Sequence, residues 1–169
     1  FAGKDYQIVD QLVNVALAPS PVTLEITLNG RSDYVPRIGD RLNYSVKYQN
    51  NSGIALADVV IKASLAGELF DFTSLEADAN VDSINNALTW NASKIPNLRL
   101  LEAGGSGELG VQIMLKKQFP IKRISDKNFV LRLNVQLDSP SVPYYLQAAK
   151  TSAVAAFETK VSGMILIDT

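Results

Sequence analysis

Cysteine and histidine are both missing from the 169 residues. Without cysteine there are no disulfides, no thiolate nucleophile and no zinc site built on sulfur. Without histidine the commonest general base, the usual partner of a serine or cysteine nucleophile, and the commonest metal ligand are gone as well. Any catalysis would have to be built from carboxylates, lysine or tyrosine, and the expectation is that the chain is not an enzyme, with no catalytic residues and no cofactor. Charge of one sign is lacking too: 16 basic residues stand against 17 acidic ones. That balance gives none of the basic excess that would point to nucleic acid or an anionic membrane. No apolar run approaches the roughly 18 residues a membrane helix needs, so no direct membrane span is expected in this segment. The opening Phe1-Ala2-Gly3-Lys4-Asp5 has neither an initiator methionine nor a signal-peptide pattern, and reads as part of something longer.

What the sequence does have is alternation. In Gly39 to Asn50, Leu42, Tyr44, Val46 and Tyr48 fall on one side and Asn43, Ser45, Lys47 and Gln49 on the other. This is the period of a strand with one face on a core and one in water. Gly39-Asp40 opens the strand and Asn50-Asn51-Ser52-Gly53 closes it with turn residues. Phe129, Leu131, Leu133, Val135 and Leu137 repeat the pattern almost without fault. Further strands are expected at 23–28, ending on the turn signal Asn29-Gly30, at 57–65, at Leu88 and Trp90, and at 108–116. Residues 67–75 read as a strand edge or corner closing one end of the core, and 78–86 as a polar loop. Asn91 to Glu102 reads as a connection. Gly104-Gly105-Ser106-Gly107 reads as a flexible turn, since it lacks the Gly-Lys-Ser/Thr ending of a phosphate-binding loop. Tyr144 to Phe157 is rich in alanine, yet Thr151, Val154 and the aromatic flanks favour one long strand over a helix. About eight to ten strands with no convincing amphipathic helix make an antiparallel all-β sandwich.

The domain is expected to span 21–160. Residues 1–20, which end on the break Pro19-Ser20-Pro21, form a linker or a strand from a preceding domain, and 161–169 an exit strand toward a following one.

Three blocks together, Gly39-Asp40-Arg41-Leu42-Asn43-Tyr44 through Gly53, Ala57-Asp58-Val59-Val60-Ile61, and Leu88-Thr89-Trp90, resemble the conserved-repeat domains of bacterial and archaeal cell-surface proteins. The resemblance runs in order over roughly 22–160, and the chain departs from it at Leu65 to Leu75. It implies an immunoglobulin-like sandwich repeated in tandem, extracellular and at the cell surface, serving as a structural module of a stalk, surface layer or adhesin. Its partners would be neighbouring repeats of the same chain, or a cell-envelope glycan or another surface protein.

Four groups of residues invite a more specific chemistry. Asp78, Asn80 and Asp82 have the spacing that places oxygen ligands on one side of a calcium loop, although Ser83 stands where the sharp-turn glycine belongs and Thr89 where the bidentate glutamate belongs. Tyr144 and Tyr145, with Tyr34 and Tyr48, could stack on a sugar, against the plainer reading of core and edge packing. Lys122 and Arg123, with Lys116, Lys117 and Lys127, could bind an anionic envelope polymer, against a solvated basic loop. Lys47 could supply the amine of an isopeptide crosslink only if buried, and it lies on the polar phase of its strand. Asn43, Asn50 and Asn91 each head an Asn-x-Ser glycosylation sequon. A filament subunit, with residues 6–17 completing a neighbour's sheet by strand addition, is a further reading.

Overall fold

The computed structural model describes residues 20–119 and 129–162. Its strands are β1 (Val22–Leu28), β2 (Arg41–Asn50), β3 (Leu56–Ala57), β4 (Val60–Ala66), β5 (Phe70–Glu76), β6 (Asn80–Asp82), β7 (Ala87–Trp90), β8 (Leu100–Leu101), β9 (Ser106–Leu115), β10 (Val130–Ser139) and β11 (Thr151–Lys160). A single turn of 3-10 helix, Pro96–Arg99, precedes β8. One sheet has the order β1-β2-β9-β5 and a second the order β11-β10-β4-β7-β6, while β3 and β8 pair separately. All pairings are antiparallel. Four strands facing a sheet whose first three are the last, the second-last and the third long strand is the order of an immunoglobulin-like sandwich. The β6–β7 hairpin is an addition at the edge of the second sheet.

The alternation in the sequence explains the core. Leu42, Tyr44, Val46 and Tyr48 on β2 are buried, as are Leu109, Val111, Ile113 and Leu115 on β9. Facing them from the second sheet are Ile61, Ala63 and Leu65 of β4, Leu88 and Trp90 of β7, and Leu131, Leu133, Val135 and Leu137 of β10. The outward residues of β2, including Lys47, are exposed or half-buried. The turn after β1 has positive φ at both Asn29 (49°) and Gly30 (78°), as the two-residue turn that matches strand twist requires.

Four local expectations are corrected and one is met. The strand over 57–65 is two pieces, because Asp58 adopts a positive φ of 46° and ends β3 before β4 begins. The strand edge expected at 67–75 is present as β5 over 70–76, with Leu69 and Phe70 buried and Phe72 half-buried. The polar loop at 78–86 contains β6, whose three residues pair with β7 through Asn80↔Thr89, Val81↔Leu88 and Asp82↔Ala87. Residues 144–150 are not strand: Pro143 precedes a turn closed by Leu146 N–H donating to Pro143 O at 2.9 Å, and β11 starts only at Thr151. Gly107 belongs to β9 and not to the turn, for a steric reason: a Cβ there would stand 2.3 Å from the Tyr48 hydroxyl oxygen. The Tyr48 ring lies across the missing side chain, which is how an aromatic neighbour shields a glycine in a strand. These short elements raise the count of strands above the expected eight to ten.

Tyr44 is 2% exposed, packing edge-on against Phe157 at 6.0 Å between ring centroids and tilted against Phe70 at 6.5 Å. Its hydroxyl is buried with no hydrogen-bond partner among the described residues. Tyr44→Phe keeps the ring and removes a desolvated, unpaired polar atom. It should therefore leave stability unchanged or raise it by about 1 kcal/mol in urea unfolding, where most core substitutions lower it.

Candidate functional site

The polar groups singled out from the sequence are dispersed. Asp82 ends β6 and its carboxylate organises the hairpin: Oδ1 accepts from the backbone N–H of Ile84 at 3.0 Å and of Asn85 at 3.2 Å, and Oδ2 accepts from the Asn85 side-chain amide at 2.7 Å. The side-chain amide of Asn85 and these backbone N–H groups hold the Asp82 carboxyl below the usual aspartate range. Asp78 lies 3.7 Å from the Lys94 amine. Because 80–82 is strand and not a wrapped loop, Asn80 and Asp82 share one face of it, and all three candidate ligands lie at the surface. Among the described residues no three acidic side chains converge.

Tyr144 is 96% exposed, with the Tyr145 ring set edge-on to it at 5.8 Å. The packing expectation fails for Tyr144, which stands out from the loop between β10 and β11, and holds for Tyr48, which is buried in the core. Tyr34 donates its hydroxyl to Asp40 at 3.0 Å. Buried Tyr48 therefore cannot join a surface platform, and the candidate sugar-stacking surface reduces to the pair at 144 and 145. Lys122, Arg123 and Lys127 lie outside the described residues, as do residues 6–17 and the stretch beyond 162.

Of the three sequons, Asn50 is inaccessible. It is fully buried, and its side-chain amide donates to the carbonyls of Ile54 (2.8 Å), Leu101 (3.0 Å) and Glu102 (3.0 Å). Its Oδ1 accepts from Ser52 N–H at 2.9 Å and from Ser52 Oγ at 2.6 Å. Asn91 turns its Oδ1 back to Ser93 N–H and Oγ. Asn43 lies exposed in mid-strand on β2, between β1 and β9.

Two features carry charge or shape that the sequence did not single out. A groove of about 560 Å³ at one end of the second sheet is lined by Gly67, Glu68, Phe72 and the ion pair of Arg132 with Glu158. On the outer face of the same sheet, Asp138 accepts from Ser152 Oγ at 2.7 Å and Gln136 Nε2 at 2.9 Å, and lies 3.2 Å from Lys150. Partial burial raises its pKa, but these hydrogen bonds and Lys150 outweigh burial and hold the carboxyl low.

The pH profile of stability follows. Asp82 and Asp138 have folded-state pKa values below their unfolded ones, so the stability they contribute is present above the unfolded aspartate value of about 4 and is lost as pH falls through the folded values. Burial raises the tyrosine pKa of Tyr44 and Tyr48, so their contribution is complete below about pH 10 and is lost above it. With no histidine, no side chain has an ordinary pKa between these limbs. Urea midpoints should be level from about pH 6 to 9 and fall on both sides; a slope of more than about 1 kcal/mol across that window would contradict this.

No family model matches the sequence, and no curated protein matches it. Solved structures do. The CARDB domain of the PF1109 protein from Pyrococcus furiosus, a complex with di-metal ions, aligns at TM-score 0.46 and 16% identity over 83% of this chain and 91% of its own. BslA, a bacterial hydrophobin, aligns at TM-score 0.47 and 14% identity over 87% and 100%. A GH20 exo-β-N-acetylglucosaminidase from Vibrio harveyi aligns at TM-score 0.42 and 11% identity over 85% of this chain but only 18% of its own. At these identities the likeness is one of fold alone.

Proposed function

We propose that this chain is a non-enzymatic spacer module of a multi-domain cell-surface protein, stacked end to end with neighbouring domains. The observation that supports this most is the position of the domain's entry and exit. At the entry, Asn51 N–H donates to Pro21 O at 2.8 Å, and Asn50 N–H to Gly105 O at 2.8 Å, so β1 begins at the Asn50 end of β2. At the exit, Ser162 N–H donates to Pro36 O and Thr159 Oγ1 to Tyr34 O, while Asp40 N–H donates to Arg37 O, so β11 ends at the opposite, Asp40 end of β2. The two ends are therefore separated by the length of a ten-residue strand, about 30 Å. A module entered at one pole and left at the other adds its full length to a tandem array. The sequence resemblance to surface repeats agrees with that use and with an extracellular location.

The test is a tandem chain carrying two copies of the 169-residue sequence. Small-angle scattering should give a maximum dimension close to twice that of one copy; a value near that of a single copy would overturn the reading. One observation favours a second function, binding of an envelope glycan: Tyr144 is almost wholly exposed with Tyr145 edge-on beside it. Oligosaccharide binding on a glycan array, lost in Tyr144→Ala, would establish it.

A further inference from the structure

Among the described residues the two main sheets have four edges, β1, β5, β6 and β11, and three of them carry features that discourage pairing with another chain. β6 is three residues long. β5 loses register against β9 between Asp71 and Glu76. β1 follows Pro21 and carries exposed Glu25 at its middle. β11 has no proline, no register break and no mid-strand charge, and β1 of the other sheet lies alongside it without pairing to it. β11 is ten residues long and pairs with β10 without a break from Val130↔Lys160 to Ser139↔Thr151. It contains no proline or glycine and no charge from Thr151 to Phe157, and Val154 on it is 76% exposed.

The backbone polarity of that edge can be read directly. Val161 N–H donates to Phe129 O, its opposite residue in the β10 register, at 3.0 Å. In an antiparallel ladder such exchanges recur at every second residue. The odd-numbered residues of β11 therefore bond β10, and Ser152, Val154, Ala156 and Glu158 direct N–H and C=O away from the sheet. Ser162 agrees, since its N–H turns outward to Pro36 O. The Tyr34 to Pro36 segment covers the far end of the strand, leaving the outward groups from Ser152 to Glu158 with no hydrogen-bonded strand partner among the described residues.

We propose that this edge pairs antiparallel with the same edge of a second copy of the chain, about a two-fold axis at Val154. Outward groups must meet outward groups, so only registers that place even residues opposite even residues are allowed. Within the open window these are centred on 154, 155 or 156. Centring on 155 sets Lys150 against Lys160, and centring on 156 sets Val154 against Glu158. Centring on 154 sets Val154 against Val154, Ser152 against Ala156, and Lys150 against Glu158 at both ends, which is the register with favourable cross-strand pairs throughout. Lys150 already lies 3.2 Å from Asp138, and Glu158 is bonded to Arg132. Pairing would thus align Asp138 and Lys150 of one copy with Glu158 and Arg132 of the other, four charges of alternating sign. The inference stands independently of end-to-end stacking, because it uses the flank of the domain and not its poles.

The experiment is sedimentation velocity of the full chain over a concentration series, with three substitutions. The wild type should show a reversible dimer with a dissociation constant in the micromolar to millimolar range expected of a small interface. Val154→Pro removes only an outward N–H, leaves the β10 ladder whole, and should weaken the dimer at least about tenfold with an unchanged circular dichroism spectrum. Lys150→Glu and Glu158→Lys each set like charges opposite one another in a homodimer and should each weaken it. Mixed in equal amounts, the two variants place Glu against Lys at both ends, and association should return to within about threefold of wild type. A wild type that stays monomeric at millimolar concentration, or a mixture that does not recover, would overturn the proposal. So would a dimer abolished by Val15→Pro, since the strand would then come from residues 1–19.

Discussion

Asn50→Leu is expected to lower stability by about 4 kcal/mol, one of the larger losses available to a single substitution in this domain. At this size of protein that corresponds to a fall in Tm of about 12 °C. The Asn50 side chain, itself fully buried, satisfies three main-chain carbonyls with two hydrogens and accepts two hydrogen bonds from Ser52. A leucine of similar volume leaves the carbonyls of Ile54, Leu101 and Glu102 and the N–H of Ser52 without that partner. Asn50→Asp should be worse at neutral pH, because it sets a carboxylate oxygen against the carbonyls that the amide hydrogens had filled. Burial would raise the pKa of that new carboxyl, so part of the loss should return in acid, when the group becomes a donor. Urea unfolding of both variants at pH 7 and pH 5 checks this, and a loss below about 1 kcal/mol for either would show that water replaces the amide.

Trp90→Ala should cost about 4 kcal/mol, the range for deleting a buried aromatic with partial collapse of the cavity. Trp90 is 1% exposed and sits opposite Ile61 in the β4–β7 register, at the level where the two sheets meet. The β7 strand that carries it has only four residues, so its side chains and not its ladder hold it in place. The control is Ile84→Ser on the same hairpin. Ile84 is 89% exposed, and its loss should move stability by less than about 0.5 kcal/mol. If the two substitutions had similar effects, the hairpin and not the core would be setting the transition.

Much of the fold was legible because the information was local. Leu42 to Tyr48 and Leu131 to Leu137 alternate within a single strand, and a period of two needs no knowledge of the neighbour to be read. The β6–β7 hairpin was hidden because Asp82 and Asn85 look like loop residues, and only their hydrogen bonds to one another show that they make a turn between paired strands. Pro143 was the available signal that residues 144–150 do not continue as strand, and the alanines beyond it obscured the boundary. Asn50 read as a turn former and a sequon, and its role could not be seen because Leu101 and Glu102 lie fifty residues further along the chain. The edge position of β11 was equally beyond reach. Its composition resembles that of an interior strand, and which strand lies outermost is decided by topology.

The opposite placement of entry and exit has a mechanical meaning. Tension on an array would enter through the start of β1 and leave through the end of β11, drawing each along its own axis. The seven facing pairs between β1 and β2 and the ten between β10 and β11 would then be loaded in shear, all at once, and not peeled apart one at a time. Such a module would yield abruptly, at a load set by its unfolding barrier and not by its equilibrium stability.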